Sequence, residues 1–93
     1  MINLKSQFTL EDTHTWRLSG ELSFDTVSAL LTDMTRQPIT PQTLDLQAVT
    51  RTDSAGLALL IELRKRFNTL VFKNIPPQML TLAKVSGVEN LLI

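Results

Sequence analysis

Apolar and polar residues alternate from the start of the chain. Ile2, Leu4, Phe8 and Leu10 share one parity, and Asn3, Lys5, Gln7 and Thr9 share the other, which is the period of a half-buried strand. Glu11-Asp12 reads as a turn. Alternation resumes from Thr13 to Ser19, with Trp16 and Leu18 inward and Thr15 and Arg17 outward. Two such runs around a short turn predict an antiparallel hairpin. Gly20-Glu21-Leu22 then breaks the pattern. From Ser23 to Thr35 the period changes: Val27, Leu30, Leu31 and Met34 stand at i, i+3, i+4 and i+7, one face of a helix. Ser23 is placed as its N-cap, with Asp25 in the first turn. Gln37-Pro38-Ile39-Thr40-Pro41 ends this helix in a loop.

Thr43 to Ala48 predicts a third strand, with Leu44, Leu46 and Ala48 inward and Thr43, Asp45 and Gln47 on the other face. A second helix follows from Ser54 to about Phe67, and Leu70 to Lys73 makes a short fourth strand. Pro77 suits the first position of a third helix, whose buried side is Met79, Leu82 and Ala83. Gly87 is its expected stop, and Val88 to Ile93 is an apolar tail expected to pack back on the domain. The order is β-β-α-β-α-β-α. Helical crossovers make strands two, three and four parallel, while the alternation leaves one sheet face wet. The expected fold is α/β: a single domain over 1–93, with one mixed four-stranded sheet and its helices on one face.

The second helix carries two stripes. Gly56, Leu59, Leu60, Leu63 and Phe67 form a core stripe. On the far side Ser54, Ala58, Ile61 and Lys65 line up, with Leu57 flanking them. One or two exposed aliphatics are ordinary on any surface, but contiguous apolar surface often marks a docking site. The expectation is a partner-docking patch.

The helix begins in Val49-Thr50-Arg51-Thr52-Asp53-Ser54-Ala55-Gly56-Leu57. Asp53 is placed to cap it by accepting a backbone N–H of the first turn. Ser54 falls in that turn, where the helix end carries partial positive charge. A phosphate there would gain about 0.3–1 kcal/mol from the helix end. It would also put negative charge beside Asp53 and within the apolar stripe, expelling anything docked there.

Composition removes most other chemistry. The chain has 93 residues, 43% of them hydrophobic and 19% charged, ordinary for a globular protein. Nine basic and nine acidic residues cancel, so there is no electrostatic footprint for nucleic acid. Cysteine is absent, which excludes disulfides and thiolate metal sites and fits the cytoplasm. The N-terminus lacks the pattern of a signal peptide, and no apolar run approaches the roughly 20 residues of a membrane span. His14 is the only histidine and sits in the second strand pattern. Ser54 lacks a nucleophile elbow, because Thr52 stands where Gly-x-Ser-x-Gly needs a glycine. The three glycines are far apart and form no phosphate loop. No catalytic residue, metal site or cofactor is expected.

The run Leu44-Asp45-Leu46 and then Val49 to Leu60 resembles the signature of STAS domains, the family of anti-sigma factor antagonists: Asp, then Ser or Thr, a small residue, and Gly-Leu at a helix start. Leu18-Ser19-Gly20-Glu21-Leu22 resembles the family's second landmark, the strand end before the first helix. Within the family, Asp53-Ser54-Ala55-Gly56-Leu57-Ala58-Leu59-Leu60 and Leu80-Thr81-Leu82-Ala83-Lys84 are most similar to the small STAS subunits of Mla-type phospholipid ABC transporters of Gram-negative bacteria. The chain also ends where stand-alone sigma-pathway members usually continue through another helix. The resemblance implies a non-enzymatic cytoplasmic subunit. It would bind and stabilise the transporter's ATPase subunit, reach the permease through it, and support outer-membrane lipid asymmetry. The implied interface is Arg51, Thr52, Asp53, Ser54, Ala55 and Leu57, with Ala58, Ile61 and Lys65. The alternative it implies is an anti-sigma factor antagonist, with Ser54 phosphorylated by an anti-sigma kinase in a partner-switching pathway. Ala55 departs from the serine or glycine usual at its position, and is small enough to be tolerated.

Overall fold

A computed structural model describes residues 6–38 and 40–92. Of the expected core positions, Ile2, Leu4 and Ile93 lie outside the described residues, as does Ile39 of the loop. The elements are β1 (Ser6–Leu10), β2 (Thr15–Leu22), α1 (Val27–Thr35), β3 (Thr43–Thr52), α2 (Ser54–Arg66), β4 (Val71–Lys73) and α3 (Pro77–Val85). A 3-10 turn, Glu89–Leu91, closes the chain. The sheet order is β1-β2-β3-β4. β1 runs antiparallel to β2, while β2–β3 and β3–β4 are parallel. This is the expected mixed α/β sheet. Crossovers between sequential parallel strands are right-handed as a rule, which puts the helices on one face. There α2 is the middle helix, touching α1 on one side and α3 on the other.

The core lies between that face and the helices. β2 supplies Trp16, Leu18 and Leu22, β3 supplies Leu44 and Leu46, and α2 supplies Leu59, Leu60 and Leu63, all buried. Trp16 is held edge-on between Phe8 and Phe67, with ring centroids 5.0 and 5.7 Å away. Leu10 shares the parity of Phe8 but is 54% exposed at the end of the edge strand, so the inward face of β1 stops short of it.

Two strands run longer than alternation suggests. β2 continues through Gly20-Glu21-Leu22, with Gly20 in the left-handed region (φ 83), where a residue lacking Cβ is unstrained. β3 continues to Thr52. The β2–β3 register slips twice, from Arg17↔Asp45 to Ser19↔Ala48 and from Gly20↔Val49 to Glu21↔Arg51. Each slip places an extra residue in β3, and each reverses which side chains face the core. Ala48 therefore lies opposite Ser19 on the outer face, and Val49 packs on the core instead. The expected inward Ala48 is corrected by the first of these bulges.

The outer face is polar but not uniformly wet. Asp45 is buried there. Its carboxylate accepts the Asn74 side-chain amide at 3.0 Å, the Gln47 N–H at 2.9 Å and an Arg17 guanidinium N–H at 3.5 Å. The Asn74 bond above all, and then the Gln47 N–H and Arg17, hold the carboxyl below its ordinary range against the opposing effect of burial.

α1 starts later than expected. Thr26, not Ser23, precedes its first residue. The Thr26 hydroxyl accepts the Ser23 N–H at 2.9 Å and donates to the Glu21 carbonyl at 3.0 Å. These local bonds fold residues 23–26 into a turn and compete with helix. Ser23 is thus no cap, and Asp25 precedes the helix. α3 begins at Pro77 as expected and ends in a Schellman motif. Gly87 (φ 72) donates to Lys84 O at 3.1 Å, and Val88 donates to Ala83 O at 2.9 Å. The tail packs back, with Leu92 buried. Arg64 holds it by donating from Nε to Leu91 O at 2.9 Å, and from Nη1 to the carbonyls of Asn68 and Leu70.

Candidate functional site

β2 and β3 end together, and α2 begins there. Asp53 has extended backbone (φ −121, ψ −167), and its carboxylate accepts the Ala55 N–H at 2.8 Å, the expected cap. Its own N–H donates to Leu22 O at 3.1 Å, tying the helix start to the end of β2. Gly56 makes the close approach possible. A Cβ on Gly56 would lie 2.0 Å from Thr52 Oγ1 and 3.0 Å from Leu22 Cβ. The glycine of the sequence signature is there because only a bare Cα fits between α2 and the two strand ends.

This approach sorts the expected interface residues. Arg51, Asp53, Ser54, Ala58 and Lys65 are exposed, while Ala55 and Ile61 are half-buried. Thr52 is 6% exposed and Leu57 5%, so neither presents its side chain at the surface as expected. Thr52 lies under Gly56, and its hydroxyl donates to Asp53 O at 3.2 Å. Leu57 belongs to the core, because α2 has a helix on either flank and buries more than one stripe. Ile61 also packs on the core cluster. The far stripe of α2 is therefore thinner than expected, reduced to Ala58 and part of Ile61.

The apolar surface lies instead between α1 and α2. A groove of about 470 Å³ is walled by Phe24, Val27, Leu31, Ala55 and Ala58. Ser54 and Glu62 also line it, and their separation along α2 gives it a length of about 12 Å. A smaller cleft of about 250 Å³ adjoins, lined by Glu21, Phe24, Asp25, Arg51 and Asp53 among others. Phe24 lines both, and is 86% exposed on the turn that Thr26 organises. The sequence reading missed Phe24. The signal is present, since Phe24, Val27 and Leu31 stand at i, i+3 and i+7, but Phe24 falls outside the Val27, Leu30, Leu31 and Met34 set that marks the helix face.

Charge is polarised along the chain. Residues 21–62 carry six carboxylates and two cations, net −4, whereas residues 63–93 carry five cations and one carboxylate, net +4. Glu21, Asp25, Asp53 and Glu62 all line the groove or the cleft, with Arg51 as the cation in the cleft.

His14 lies in the exposed hairpin turn before β2, at the opposite end of the strand from Ser54, and is not brought to it. Among the described residues no group of three or more potential ligands is placed to hold a metal ion. No helix among them is long and apolar enough to cross a membrane. What the site offers is a capped helix start with an exposed hydroxyl, set beside an apolar groove with an acidic rim.

The sequence profile of the family described as "Mlab, STAS domain" matches residues 7–93. Among curated proteins no relative matches the sequence. Among solved structures, the chain is similar to the anti-sigma factor antagonist SpoIIAA in its unphosphorylated form. The TM-score is 0.70 at 15% identity, over 95% of this chain and 85% of that one. At such identity the likeness establishes the shared fold. With the α/β topology, the capped Asp53-Ser54 helix start and the profile match over nearly its whole length, this chain belongs to the MlaB-type STAS domain family.

Proposed function

We propose that this protein is a non-enzymatic accessory subunit that binds the ATPase subunit of an Mla-type phospholipid ABC transporter. Through that subunit it would reach the permease, at the cytoplasmic side of the inner membrane. The observation that carries the reading is the exposed Phe24 groove beside the Asp53–Ala58 helix start, in a chain whose sequence matches the MlaB-type profile. An aromatic side chain left 86% exposed gains most by burial in a partner. The contact surface is Arg51, Asp53, Ser54, Ala55, Ala58, Ile61 and Lys65, with Phe24 added. Thr52 and Leu57 support it from beneath. Phospholipid trafficking and lipid asymmetry are the transporter's work, and this subunit's part is to stabilise and activate the ATPase.

Co-purification with a tagged Mla-type ATPase subunit tests this. The wild-type chain is expected to form a stable complex, and Phe24→Ser and Ala58→Asp are expected to lose it while keeping their far-UV CD spectra. Folded variants that bind normally would overturn the interface, and no wild-type complex would overturn the transporter role.

A second reading rests on Ser54, whose side chain is exposed in the first turn of α2. In a partner-switching pathway an anti-sigma kinase would phosphorylate it, and the added charge beside Asp53 would expel a partner from the groove. Mass spectrometry after kinase treatment would place the phosphate on Ser54, and Ser54→Ala would abolish it. Phosphate on Thr50 or Thr52 would overturn this assignment.

A further inference from the structure

The groove between α1 and α2 differs in charge from one end to the other. Its middle is apolar, walled by Val27 and Leu31 of α1 and by Ala55, Ala58 and Leu59 of α2. At the far end Glu62 is already answered by Arg66, whose Nε lies 3.2 Å from its carboxylate. At the near end, past Phe24, the adjoining cleft is lined by Glu21, Asp25 and Asp53, with Arg51 as their one counter-charge. Three carboxylates against one guanidinium leave that end at −2.

The shape selects a helix as occupant. Both walls are helices, whose interior backbone groups are bonded within the helix, so they offer a visiting segment few backbone partners. An extended peptide would leave its own N–H and C=O groups unpaired in an apolar groove, whereas a helix satisfies them internally. The groove length of about 12 Å is about two helical turns. Ala55 and Ala58, with Ser28 of α1, are small side chains, and these let a third helix axis approach closely.

The charge selects the end that such a helix must carry. A cleft lined by carboxylates repels phosphates and acidic segments and raises the local concentration of cations. Phe24 lines both the groove and the cleft, so a cation held among the carboxylates also stands beside an aromatic ring, a favourable neighbour for arginine above all.

We infer that the groove takes an amphipathic helix of the ATPase subunit, apolar on the side laid against Ala55 and Ala58, with an arginine or lysine at the end that enters the cleft beside Phe24. The source of this helix rests on the transporter reading, while its chemistry rests on the groove.

Binding of the chain to the purified Mla-type ATPase subunit, followed by biolayer interferometry across salt concentrations, separates the two. Asp25→Lys, on the exposed turn, is expected to weaken binding about tenfold at ~50 mM salt, and about twofold at ~500 mM, where screening is strong. Glu62→Gln, at the end where Arg66 already answers the charge, is expected to change binding by less than about twofold. Glu21→Gln replaces Asp25→Lys if that variant loses its far-UV CD spectrum, with an expected loss of about threefold. A photo-crosslinking phenylalanine analogue in place of Phe24 is expected to capture an ATPase peptide that joins an apolar i, i+3, i+4 pattern to an arginine or lysine, read by mass spectrometry. Folded charge variants that bind like wild type at low salt, tighter binding by Asp25→Lys, or a crosslink to an acidic segment would overturn the inference and leave the transporter reading standing. Sedimentation showing that two copies of the chain pair, and that Asp25→Lys separates them, would make a second copy the occupant and overturn it as well. A folded wild-type chain that forms no complex with the ATPase subunit would overturn the transporter reading, and the inference with it.

Discussion

Gly56→Ala is the sharpest test of how the helix start is built. In the interior of an exposed helix this change would stabilise by about 0.5–1 kcal/mol, because glycine has more freedom to lose on folding. Here the new methyl would sit 2.0 Å from Thr52 Oγ1 and 3.0 Å from Leu22 Cβ. Neither neighbour is the free end of a long side chain. Thr52 is buried, and its hydroxyl is bonded to Asp53 O. The methyl must therefore displace α2 or force Thr52 from its rotamer, and overpacking of this kind costs about 1–3 kcal/mol. Clash outweighs propensity, leaving a net loss of about 1–2 kcal/mol. For a domain of this size, that lowers Tm by about 5–10 °C. Thermal unfolding followed by CD reads the shift. The double variant Thr52→Ala/Gly56→Ala removes Oγ1 and should lose less than the sum of the two singles, with a coupling of about 0.5–3 kcal/mol. A Gly56→Ala protein as stable as wild type would refute the close-approach argument.

Three further outcomes follow from other contacts. Asp53→Ala loses the bond to the Ala55 N–H and should lower stability by about 1 kcal/mol in urea unfolding, whereas Asp53→Asn should retain most of it. Arg64→Ala strips the donors from the carbonyls of Leu91, Asn68 and Leu70 and the cation from the Phe72 ring. Amide exchange around Leu92 should accelerate in this variant, and Arg64→Lys should not restore protection, because an ammonium cannot span three carbonyls with a planar fork. Asp45 has a folded-state pKa below its ordinary 3.8. The unfolded chain then binds more protons across this window, so the contribution is full above the unfolded value and is lost as pH falls through the folded one. Urea midpoints should drop between about pH 5 and pH 2, and Asp45→Asn should flatten that slope.

The parts of the fold legible in sequence are those set by local chemistry. The hairpin follows from Glu11-Asp12 between alternating runs. α2 follows from the Asp53 cap and the Leu59–Leu60–Leu63 stripe, and α3 from Pro77 and Gly87. What escaped was set by neighbours. Alternation cannot reveal an extra residue in a strand, so Ala48 and Val49 exchanged faces. Ser23 and Thr26 are both cap-forming residue types, yet the Thr26 hydroxyl caps no helix N–H and instead bonds the Ser23 N–H and the Glu21 carbonyl, closing a turn before the helix. Leu57 seemed to border a surface stripe because the wheel assumed one buried side, whereas α2 is flanked on two. Asp45 reads as an outward polar residue, yet Arg17 and Asn74 close over it. Within the candidate site Asp53 and Ser54 are exposed as expected, Thr52 and Leu57 are buried by the close approach of α2, and the exposed Phe24 lies before the helical period that the sequence displays.

The two bulges in β3 also explain why the site exists where it does. Without them, Thr43↔Thr15 pairing carried forward in step would bring β3 level with Leu22 at Thr50. The two extra residues bring it level at Thr52 instead. Thr52 then turns inward beneath Gly56, and the Asp53 N–H reaches Leu22 O. α2 is anchored by its first residues at the rim of the sheet, so Ser54 stands clear of the strands and opens toward the groove that Phe24 walls. The same slips hold Arg51 out in the adjoining cleft, as the positive charge among its carboxylates. A local irregularity in strand pairing thus sets which residues of the Asp53-Ser54 stretch face the core and which face solvent.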